Sequence, residues 1–413
     1  MEVARVSSTY DVIVVGAGLA GLRAASVLET RGFSVLVVEK RESVGGRMSS
    51  HRVDGFVLDE GFQLINPAYP ELIATGVLDD FDLRSFEPSV RFVRGDSSIT
   101  LADPRRLPRE AFVSMWSRDI SLADKLRAVR LFADCGLGSA QSILAQRDTT
   151  VIAGLKRYGF SPAMIEGVWQ PFLRGTLLED DLDSSWRYTQ LLLRSFFKGR
   201  PGTHPAGIAA LPRALAAQLR TTSIHLDEGA RAVSGMKVLT DEREYQGRAV
   251  IVATEPTDAN VLIPGDRVPW LAQTTWWLAL PKDSGRRSLQ IDTVDRPFTS
   301  ALDLTAAAPE RAPVNSILVA VPANGVYESS ELDQRAVEYA ARLFDTPTTD
   351  ISLVEKSVVP RALPKLSSSF ALSKNQRRGE VVLAGDYLQT PSIQGALVSG
   401  RRAAQQVLTM LGA

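Results

Sequence analysis

The first forty residues pass from a strand pattern to a helix pattern and back, which predicts a βαβ unit. Asp11 precedes four apolar residues, Val12–Val15, and such a run is typical of a strand buried on both faces. After a glycine-rich turn, apolar residues recur at the spacing of one helix face: Leu22, Ala25 and Leu28. Gly32 stands where a helix commonly ends, and a second apolar run, Val35–Val38, ends at Glu39. Two strands joined by a crossover helix predict a parallel sheet.

The middle of the chain is predicted to be helical. Ser121 stands three residues before Asp124, which is close to a capping box. The helix that follows is indicated by apolar residues at helical spacing: Leu122, Leu126, Val129 and Phe132. Ser161 and Pro162 mark a second helix start, because proline is favoured at the first helical position. Residues 188–197 form a further helical segment.

Strand patterns return in the second half of the chain. They cover residues 250–253, 274–280, 316–321, 351–359 and 381–383. A closing helix follows, with these apolar residues on one face: Leu397, Ala404, Leu408 and Leu411. Segments that suit one parallel sheet therefore occur at the start, in the second half and at the end of the chain.

The turn after the first strand reads G-x-G-x-x-G. It consists of Gly16, Ala17, Gly18, Leu19, Ala20 and Gly21. In this motif the first glycine permits a tight turn, the second lets backbone approach a pyrophosphate, and the third lets helix and strand pack closely. The helix N-terminus adds N–H donors for phosphates. Glu39 lies at the distance where a carboxylate accepts the hydroxyls of an adenosine ribose. The plainer alternative is a glycine turn beside a surface glutamate.

These observations predict an α/β fold with a discontinuous Rossmann-type nucleotide-binding domain and an inserted α+β substrate domain. The nucleotide-binding domain is expected to comprise residues 8–70, 205–256 and 380–413. Residues 71–204 and 257–379 are expected to form the substrate domain. Two domains also suit the length of 413 residues, which is too long for one ordinary core.

Charge and cysteine content limit which binding partners and which covalent cross-links are expected. The 47 basic residues balance the 47 acidic ones, which argues against nucleic acid as a partner. No apolar run reaches the ~20 residues of a membrane-spanning helix, and the polar start lacks a signal-peptide pattern. A cytoplasmic protein is therefore expected, with peripheral membrane contact left open. Cys135 is the only cysteine, so no internal disulfide can form.

A second glycine loop, Gly45-Gly46-Arg47, follows Glu39. With it the sequence resembles the superfamily of flavin-containing amine oxidases, phytoene desaturases and protoporphyrinogen oxidases. The resemblance implies FAD as cofactor, a glutathione-reductase-like FAD domain, and an arginine that neutralises phosphate charge, a task that suits guanidinium. Cofactor contacts implied in this stretch are Glu39, Lys40, Arg41, Gly45, Gly46, Arg47 and Met48. An exposed basic loop is the alternative.

Two further segments resemble cofactor contacts of the same superfamily. Residues 59–63 resemble the segment that runs past the isoalloxazine ring. Residues 224–230 and 250–254 resemble the adenine-side strand and its closing turn. The contacts that the resemblance implies in these segments are Gly61, Phe62, Gln63, Ala230, Ala253 and Thr254.

The C-terminal end resembles the superfamily's flavin motif. The contacts implied there are Gly385, Asp386, Ser392, Ile393 and Ala396. Asp386 can accept a hydroxyl of the ribityl chain. N–H groups near Ile393 direct a positive helix end at the pyrimidine side of the flavin, where negative charge builds on reduction. Gln394 stands where family members often carry glutamate. An ordinary amphipathic helix is the alternative.

Several residue types are missing. The histidines, His51, His204 and His225, have no partners at the spacing of a hydrolytic triad or a zinc site, so no metal is expected. No cysteine precedes the C-terminal motif, where some family members attach flavin, so the FAD is expected to be noncovalent. Residues 274–278 lack the lysine that many amine oxidases place on this strand, which argues against amine oxidation.

The stretches Gly385-Asp386-Tyr387 and Gly395-Ala396-Leu397-Val398-Ser399-Gly400 look more like those of isoprenoid (phytoene-type) desaturases than those of amine oxidases. This resemblance implies FAD-dependent dehydrogenation of an apolar, isoprenoid- or carotenoid-like small molecule. The sequence identifies no catalytic side chain, because the flavin itself would carry the reaction. The candidates for residues that line the substrate pocket are Gln63, Trp276 and Trp277. Strand neighbours face opposite ways, which favours one tryptophan ring in the core and one at the surface. The alternatives are an amine or protoporphyrinogen oxidase on the same scaffold, a flavin-dependent isomerase, and a protein that uses the nucleotide only structurally. The electron acceptor, with oxygen or quinone as options, and the oligomeric state stay open.

Overall fold

The structure is a computed structural model in which residues 6–109, 120–281, 285–368, 372 and 376–413 are described. The strands are β1 Val6–Thr9, β2 Val12–Val15, β3 Val35–Val38, β4 Ser50–Val53, β5 Phe56–Asp59, β6 Arg84–Ser85, β7 Ser89–Arg94, β8 Ser97–Ala102, β9 Gly202–Thr203, β10 Ser223–His225, β11 Ala230–Ser234, β12 Lys237–Thr240, β13 Glu244–Gln246, β14 Ala249–Val252, β15 Trp270–Leu280, β16 Leu289–Asp292, β17 Leu302–Asp303, β18 Ile317–Asn324, β19 Ser352–Pro364, β20 Arg377–Arg378 and β21 Val381–Leu383. The helices are α1 Leu19–Glu29, α2 Pro70–Ile73, α3 Leu122–Leu137, α4 Ala140–Leu144, α5 Val151–Arg157, α6 Pro162–Met164, α7 Gln170–Leu177, α8 Trp186–Lys198, α9 Ala210–Ala217, α10 Pro256–Leu262, α11 Asp333–Phe344 and α12 Ile393–Leu411. A π-helical turn, Ile165–Trp169, connects α6 and α7.

A six-stranded sheet takes its strands from three separated parts of the chain, in the order β10-β3-β2-β14-β21-β20. β2 pairs in parallel with β3 and with β14, and β14 pairs in parallel with β21. β10 extends the parallel part beyond β3, whereas the short β20 is antiparallel. Every residue of the four central strands is buried, as expected for parallel strands covered on both faces. The predicted α/β fold class is confirmed, and strands from both ends of the chain lie in one sheet.

Helices α1 and α12 pack closely against each other beside this sheet. A Cβ atom at Gly400 of α12 would lie 2.1 Å from the Ala20 carbonyl oxygen of α1. A Cβ atom at Gly21 would lie 1.9 Å from the Gly16 carbonyl oxygen. No side chain fits at such distances, so both glycines are required by the close approach of backbone to backbone. The apolar faces predicted for the two helices are part of the same core cluster.

A four-stranded antiparallel sheet, in the order β17-β18-β15-β19, carries the two candidate tryptophans on β15. Trp276 packs with residues of α11, and its indole N–H donates to Asp333 at 2.7 Å. Trp277 packs with residues of β5, and its indole N–H donates to Ser357 at 2.9 Å. Both rings are fully buried. The expectation that one ring lies at the surface is wrong, because this sheet is covered on both faces. Neither ring lines an open pocket.

The predicted helices of the middle region are confirmed. The Ser121 side chain accepts the Asp124 N–H at 3.1 Å at the start of α3, and Ser161 caps α6 in the same way. Helix α3 directs Leu131 and Cys135 into the core. Three of the apolar residues that indicated this helix are exposed: Leu122, Leu126 and Val129. Within the described ranges, no helix is long and apolar enough to cross a membrane.

A buried ion pair fixes the end of β5. Arg311 Nη2 lies 2.9 Å from Asp59 Oδ2, and the two side chains are 0% and 1% exposed. Arg311 also donates to Thr203 Oγ1 and to a backbone carbonyl of β5. Asp59 Oδ1 accepts the Ser50 hydroxyl and the Ile208 N–H. Two buried charges are tolerated here because hydrogen bonds compensate for their loss of hydration.

Replacing Arg311 by methionine should lower the free energy of unfolding by about 3–5 kcal/mol, because Asp59 would become an unpaired buried charge. Urea unfolding of both proteins measures the difference. The matched control is Arg84→Met, which breaks the surface ion pairs of Arg84 with Asp82 and Glu310 and should lower stability far less, because water and salt screen those charges. Equal losses in the two variants would contradict the role given to the buried pair.

Candidate functional site

The glycine-rich turn between β2 and α1 is an open cradle. Gly16 adopts a φ of +104°, and its N–H donates to the Val38 carbonyl at 2.8 Å. Leu19 and Ala20 are buried in the first turn of α1. A Cβ atom at Gly18 would meet nothing within 4 Å, so this glycine is not required by the packing of described protein groups. The space beside Gly18 is therefore free for a ligand group that approaches the backbone.

Glu39 lies at the end of β3 and is only 6% exposed. Its Oε2 accepts the Ala17 N–H at 2.7 Å, and its Oε1 accepts the Arg41 N–H at 3.0 Å. One hydrogen bond to each oxygen leaves each with further acceptor capacity. The Glu39 N–H donates to His225 and its carbonyl accepts from Glu228, which brings the residues before Ala230 alongside it.

The second glycine loop folds back onto the first. The Gly45 N–H donates to the Ala17 carbonyl at 2.9 Å, and Met48 is buried behind the loop. A Cβ atom at Gly46, where φ is +59°, would lie 3.6 Å from the Gly18 Cα. Arg41 and Lys40 are exposed. Arg41 donates to the Gly46 carbonyl, and Lys40 pairs with an acidic residue of α10.

An ion pair between residues 339 positions apart joins the two ends of the chain. Arg47 Nη2 lies 2.6 Å from Asp386 Oδ1, and Nη1 donates to the Ala362 carbonyl at 2.9 Å. The Arg47 guanidinium carbon also lies 5.5 Å from the centre of the Trp270 ring. The sequence assigned Arg47 to phosphate and Asp386 to a ribityl hydroxyl. The structure brings both residues to one place, next to the end of β19.

The segment after β5 lies against β15 through Gln273, a residue that the sequence reasoning missed. Gln273 Oε1 accepts the Phe62 N–H at 2.8 Å. A Cβ atom at Gly61 would lie 3.1 Å from the same oxygen. Gln63 donates to the Arg47 carbonyl at 2.9 Å. Gln273 is 5% exposed, and a buried amide in an apolar strand is the signal by which it could have been found.

The C-terminal motif forms a capped helix start. The Gly385 N–H donates to Ser399 at 2.9 Å, and the Ser392 side chain accepts the Gly395 N–H at 3.0 Å. Ile393 and Ala396, in the first turn of α12, are half-buried. The first N–H groups of α12 are therefore held in position by the Ser392 cap and the turn that precedes it.

Thr254 and Ala253 close the strand next to the first glycine turn. The Ala253 N–H donates to the Val15 carbonyl at 2.7 Å. A Cβ atom at Gly16 would lie 3.3 Å from Thr254 Cγ2. The Thr254 hydroxyl oxygen is buried and has no hydrogen-bond partner among the described residues. An orphaned hydroxyl beside the cradle indicates that a polar ligand group belongs there.

The histidine and cysteine considered as reactive residues lie outside this site. His51 is exposed on β4 and pairs with Glu355 at 2.9 Å, as a surface histidine would. Cys135 is buried in α3, and burial raises the pKa of its thiol to about 12. Among the described residues, no group of histidine, cysteine or acidic side chains could hold a metal ion.

A small cavity lies where the antiparallel sheet, the middle helices and the C-terminal motif meet. Its apolar wall consists of Leu177, Leu271, Leu363, Pro364, Leu366 and Pro391. Three polar residues complete it: Glu179, Ser184 and Tyr188. The Tyr188 hydroxyl donates to the Pro391 carbonyl at 2.7 Å. Burial raises the pKa of Glu179, a residue that the sequence reasoning did not single out.

Sequence relatives match parts of the chain. A putrescine oxidase of Kocuria rosea is 43% identical over 96 residues, 23% of this chain and 19% of that protein. A diapolycopene oxygenase of Methylomonas sp. is 40% identical over 93 residues, 21% of this chain and 19% of that protein. The matches thus span about a fifth of the length of these relatives.

The whole fold has solved counterparts, and a family model matches most of the chain. A cyclohexylamine oxidase from Brevibacterium oxydans superposes with a TM-score of 0.71 at 18% identity, covering 98% of this chain and 100% of that one. This likeness establishes the fold. The model for flavin containing amine oxidoreductase matches residues 19–408. The chain therefore belongs to the family of flavin-containing amine oxidoreductases.

Proposed function

We propose that this oxidoreductase dehydrogenates an apolar small molecule of the isoprenoid or carotenoid kind. The observation that carries the proposal is the apolar wall of the cavity beside the C-terminal motif. That wall includes Leu363, directly after the Ala362 carbonyl that binds Arg47, and Pro391, directly before the cap Ser392. An apolar surface between the two ends of the cradle favours an apolar substrate body.

The FAD would occupy the cradle formed by the two ends of the chain. Gly18 leaves room for the pyrophosphate, and Glu39 retains acceptor capacity for ribose hydroxyls. The start of α12 would face the flavin ring. Residues 8–70, 205–256 and 380–413 would form the FAD-binding part, and residues 71–204 and 257–379 the substrate part. We propose as cofactor contacts Gly16, Ala17, Gly18, Leu19, Ala20, Gly21, Glu39, Lys40, Arg41, Gly45, Gly46, Arg47, Met48, Gly61, Phe62, Gln63, Ala230, Ala253, Thr254, Gly385, Asp386, Ser392, Ile393 and Ala396.

When bound, the flavin supplies a two-electron acceptor for the substrate's hydrogen. The chain's own residues then have three tasks. The apolar wall excludes water and aligns the substrate. The Phe62 N–H is held by Gln273, which fixes the backbone that follows β5. The N-terminal N–H groups of α12 stabilise negative charge that develops in front of them.

Amine oxidation on the same scaffold is the second candidate. The match to a putrescine oxidase of Kocuria rosea favours it. The missing lysine on β15 and the apolar lining stand against it. The two candidates differ in whether the substrate must bring a basic nitrogen.

Anaerobic reduction of the bound flavin distinguishes the two candidates. The purified flavoprotein is mixed under nitrogen with a panel of isoprenoid polyenes in detergent micelles and with a panel of primary and secondary amines. Loss of flavin absorbance with the polyenes is the expected result. If amines bleach the flavin and polyenes do not, the function is amine oxidation and not polyene dehydrogenation. Product of unchanged mass after incubation with chemically reduced enzyme would instead indicate isomerisation.

Gly18→Val should abolish FAD binding without unfolding the protein. The Cβ atom of the new side chain would meet no described protein group within 4 Å, yet the side chain would fill the space proposed for the pyrophosphate. We expect a colourless protein whose melting temperature equals that of the wild-type apoprotein. The control is Gly167→Val, another site with open space, which should keep its flavin. A yellow Gly18→Val protein with full flavin occupancy would contradict the cradle.

A further inference from the structure

Glu179 is a buried carboxyl group with an unused oxygen. Glu179 lies between α7 and α8 and is 4% exposed. Oε2 accepts the Ser184 N–H at 3.2 Å. Oε1 is buried and has no hydrogen-bond partner among the described residues. A buried polar atom without a partner destabilises the fold, so a ligand or a water molecule is expected at this oxygen.

The cavity beside this oxygen holds one small group. It has room for a single group about the size of a water molecule. The rest of the wall is apolar apart from Ser184 and Tyr188. The Tyr188 hydroxyl is already engaged with the Pro391 carbonyl. Glu179 and Ser184 are thus the groups that can recognise what enters.

The burial of Glu179 shifts its protonation equilibrium toward the neutral form. Burial raises the pKa of this carboxyl, and the charge of Asp183 acts in the same direction. Hydrogen bonds from Ser184 and the charge of Lys365 act in the opposite direction, and burial is the largest effect. Lys365 lies 3.0 Å from Asp183, so its ammonium group is held by another carboxylate. A protonated Glu179 carries an O–H that can donate a hydrogen bond.

A substrate ammonium group would fit this place poorly. Pairing it with Glu179 would require both charges to leave water, and that cost can exceed their attraction. A neutral oxygen on the ligand avoids that cost, since it accepts a hydrogen bond without a charge.

We propose that Glu179, in its protonated form, binds a neutral oxygen at one end of an otherwise apolar substrate. The inference rests on the proposed function, because the apolar body would extend from this cavity along the wall toward the flavin side. Pro391 of the wall precedes the cap of α12, and Leu363 follows the carbonyl that binds Arg47. Glu179 is therefore a residue that determines substrate specificity, and the substrate class is an oxygenated apolar molecule.

The test uses a pair of probes that differ in one group. Methyl hexyl ketone carries an oxygen that only accepts hydrogen bonds, and sec-octylammonium carries a cation on the same chain. Binding to the FAD-loaded enzyme is measured by calorimetry and by the shift of the flavin absorption spectrum, so no turnover is needed. We expect the ketone to bind more tightly than the ammonium. Its affinity should be constant at low pH and fall as the pH rises through the pKa of Glu179, because the O–H is then lost.

Two substitutions separate recognition from folding. Glu179→Gln keeps a neutral N–H donor, so it should retain ketone affinity but lose the pH dependence. Glu179→Ala should weaken ketone binding by about threefold to tenfold, the effect of one hydrogen bond. The matched control is Glu166, an exposed glutamate in the π-helical turn, whose change to glutamine should alter neither affinity nor pH dependence.

Several results would overturn the inference. Tighter binding of sec-octylammonium, increasing with pH, would show an ionised Glu179 and a cationic substrate. Equal ketone binding by the wild type, Glu179→Gln and Glu179→Ala would leave a water molecule as the only occupant. Failure of the wild type to bind the ketone at all would also refute the inference. The polyene reduction experiment then decides separately whether the proposed function fails as well.

Discussion

The parallel pairing of β14 between β2 and β21 is the constraint on which the rest of the structure depends. β2 comes from the start of the chain, β21 from its end, and β14 from more than two hundred positions after β2. This arrangement brings the glycine turn after β2 and the Gly385 turn after β21 to the same edge of one sheet. At that edge, helix N-termini and turns are available for a dinucleotide, in the manner of other doubly wound α/β sheets.

Backbone contact between α1 and α12 makes the arrangement compact. Gly400 allows this approach because a Cβ atom there would collide with the Ala20 carbonyl oxygen, and Gly21 lets α1 lie against the Gly16 turn for the same reason. The Arg47–Asp386 ion pair then joins the two cradle halves directly. Gly18 is different from the other two glycines, because the protein itself leaves its side-chain space empty. Within a G-x-G-x-x-G turn at the start of a helix, this empty space leaves room for a ligand to approach the backbone.

Burial determines which residues around the antiparallel sheet have a structural role. The antiparallel sheet is covered on both faces, so its tryptophans stabilise the core and do not form a pocket. Two of the buried polar residues in this region, Gln273 and Glu179, differ in their partners. Gln273 holds the backbone after β5, whereas one Glu179 oxygen has no partner among the described groups. The contrast separates a polar residue with a structural role from one whose oxygen supports the substrate contact proposed above.

The sequence by itself determined the elements whose signals are local. The strands around Val14 and Val37, the caps at Ser121 and Ser161, and the glycine motif all follow from neighbouring residues along the chain. The family resemblance added the cofactor. Only the tertiary structure decided which faces are buried, because burial depends on what packs from distant parts of the chain. It therefore corrected the surface assignment of a tryptophan, revealed the Asp59–Arg311 pair, and identified Glu179, whose neighbours Leu271 and Pro391 are far away in sequence.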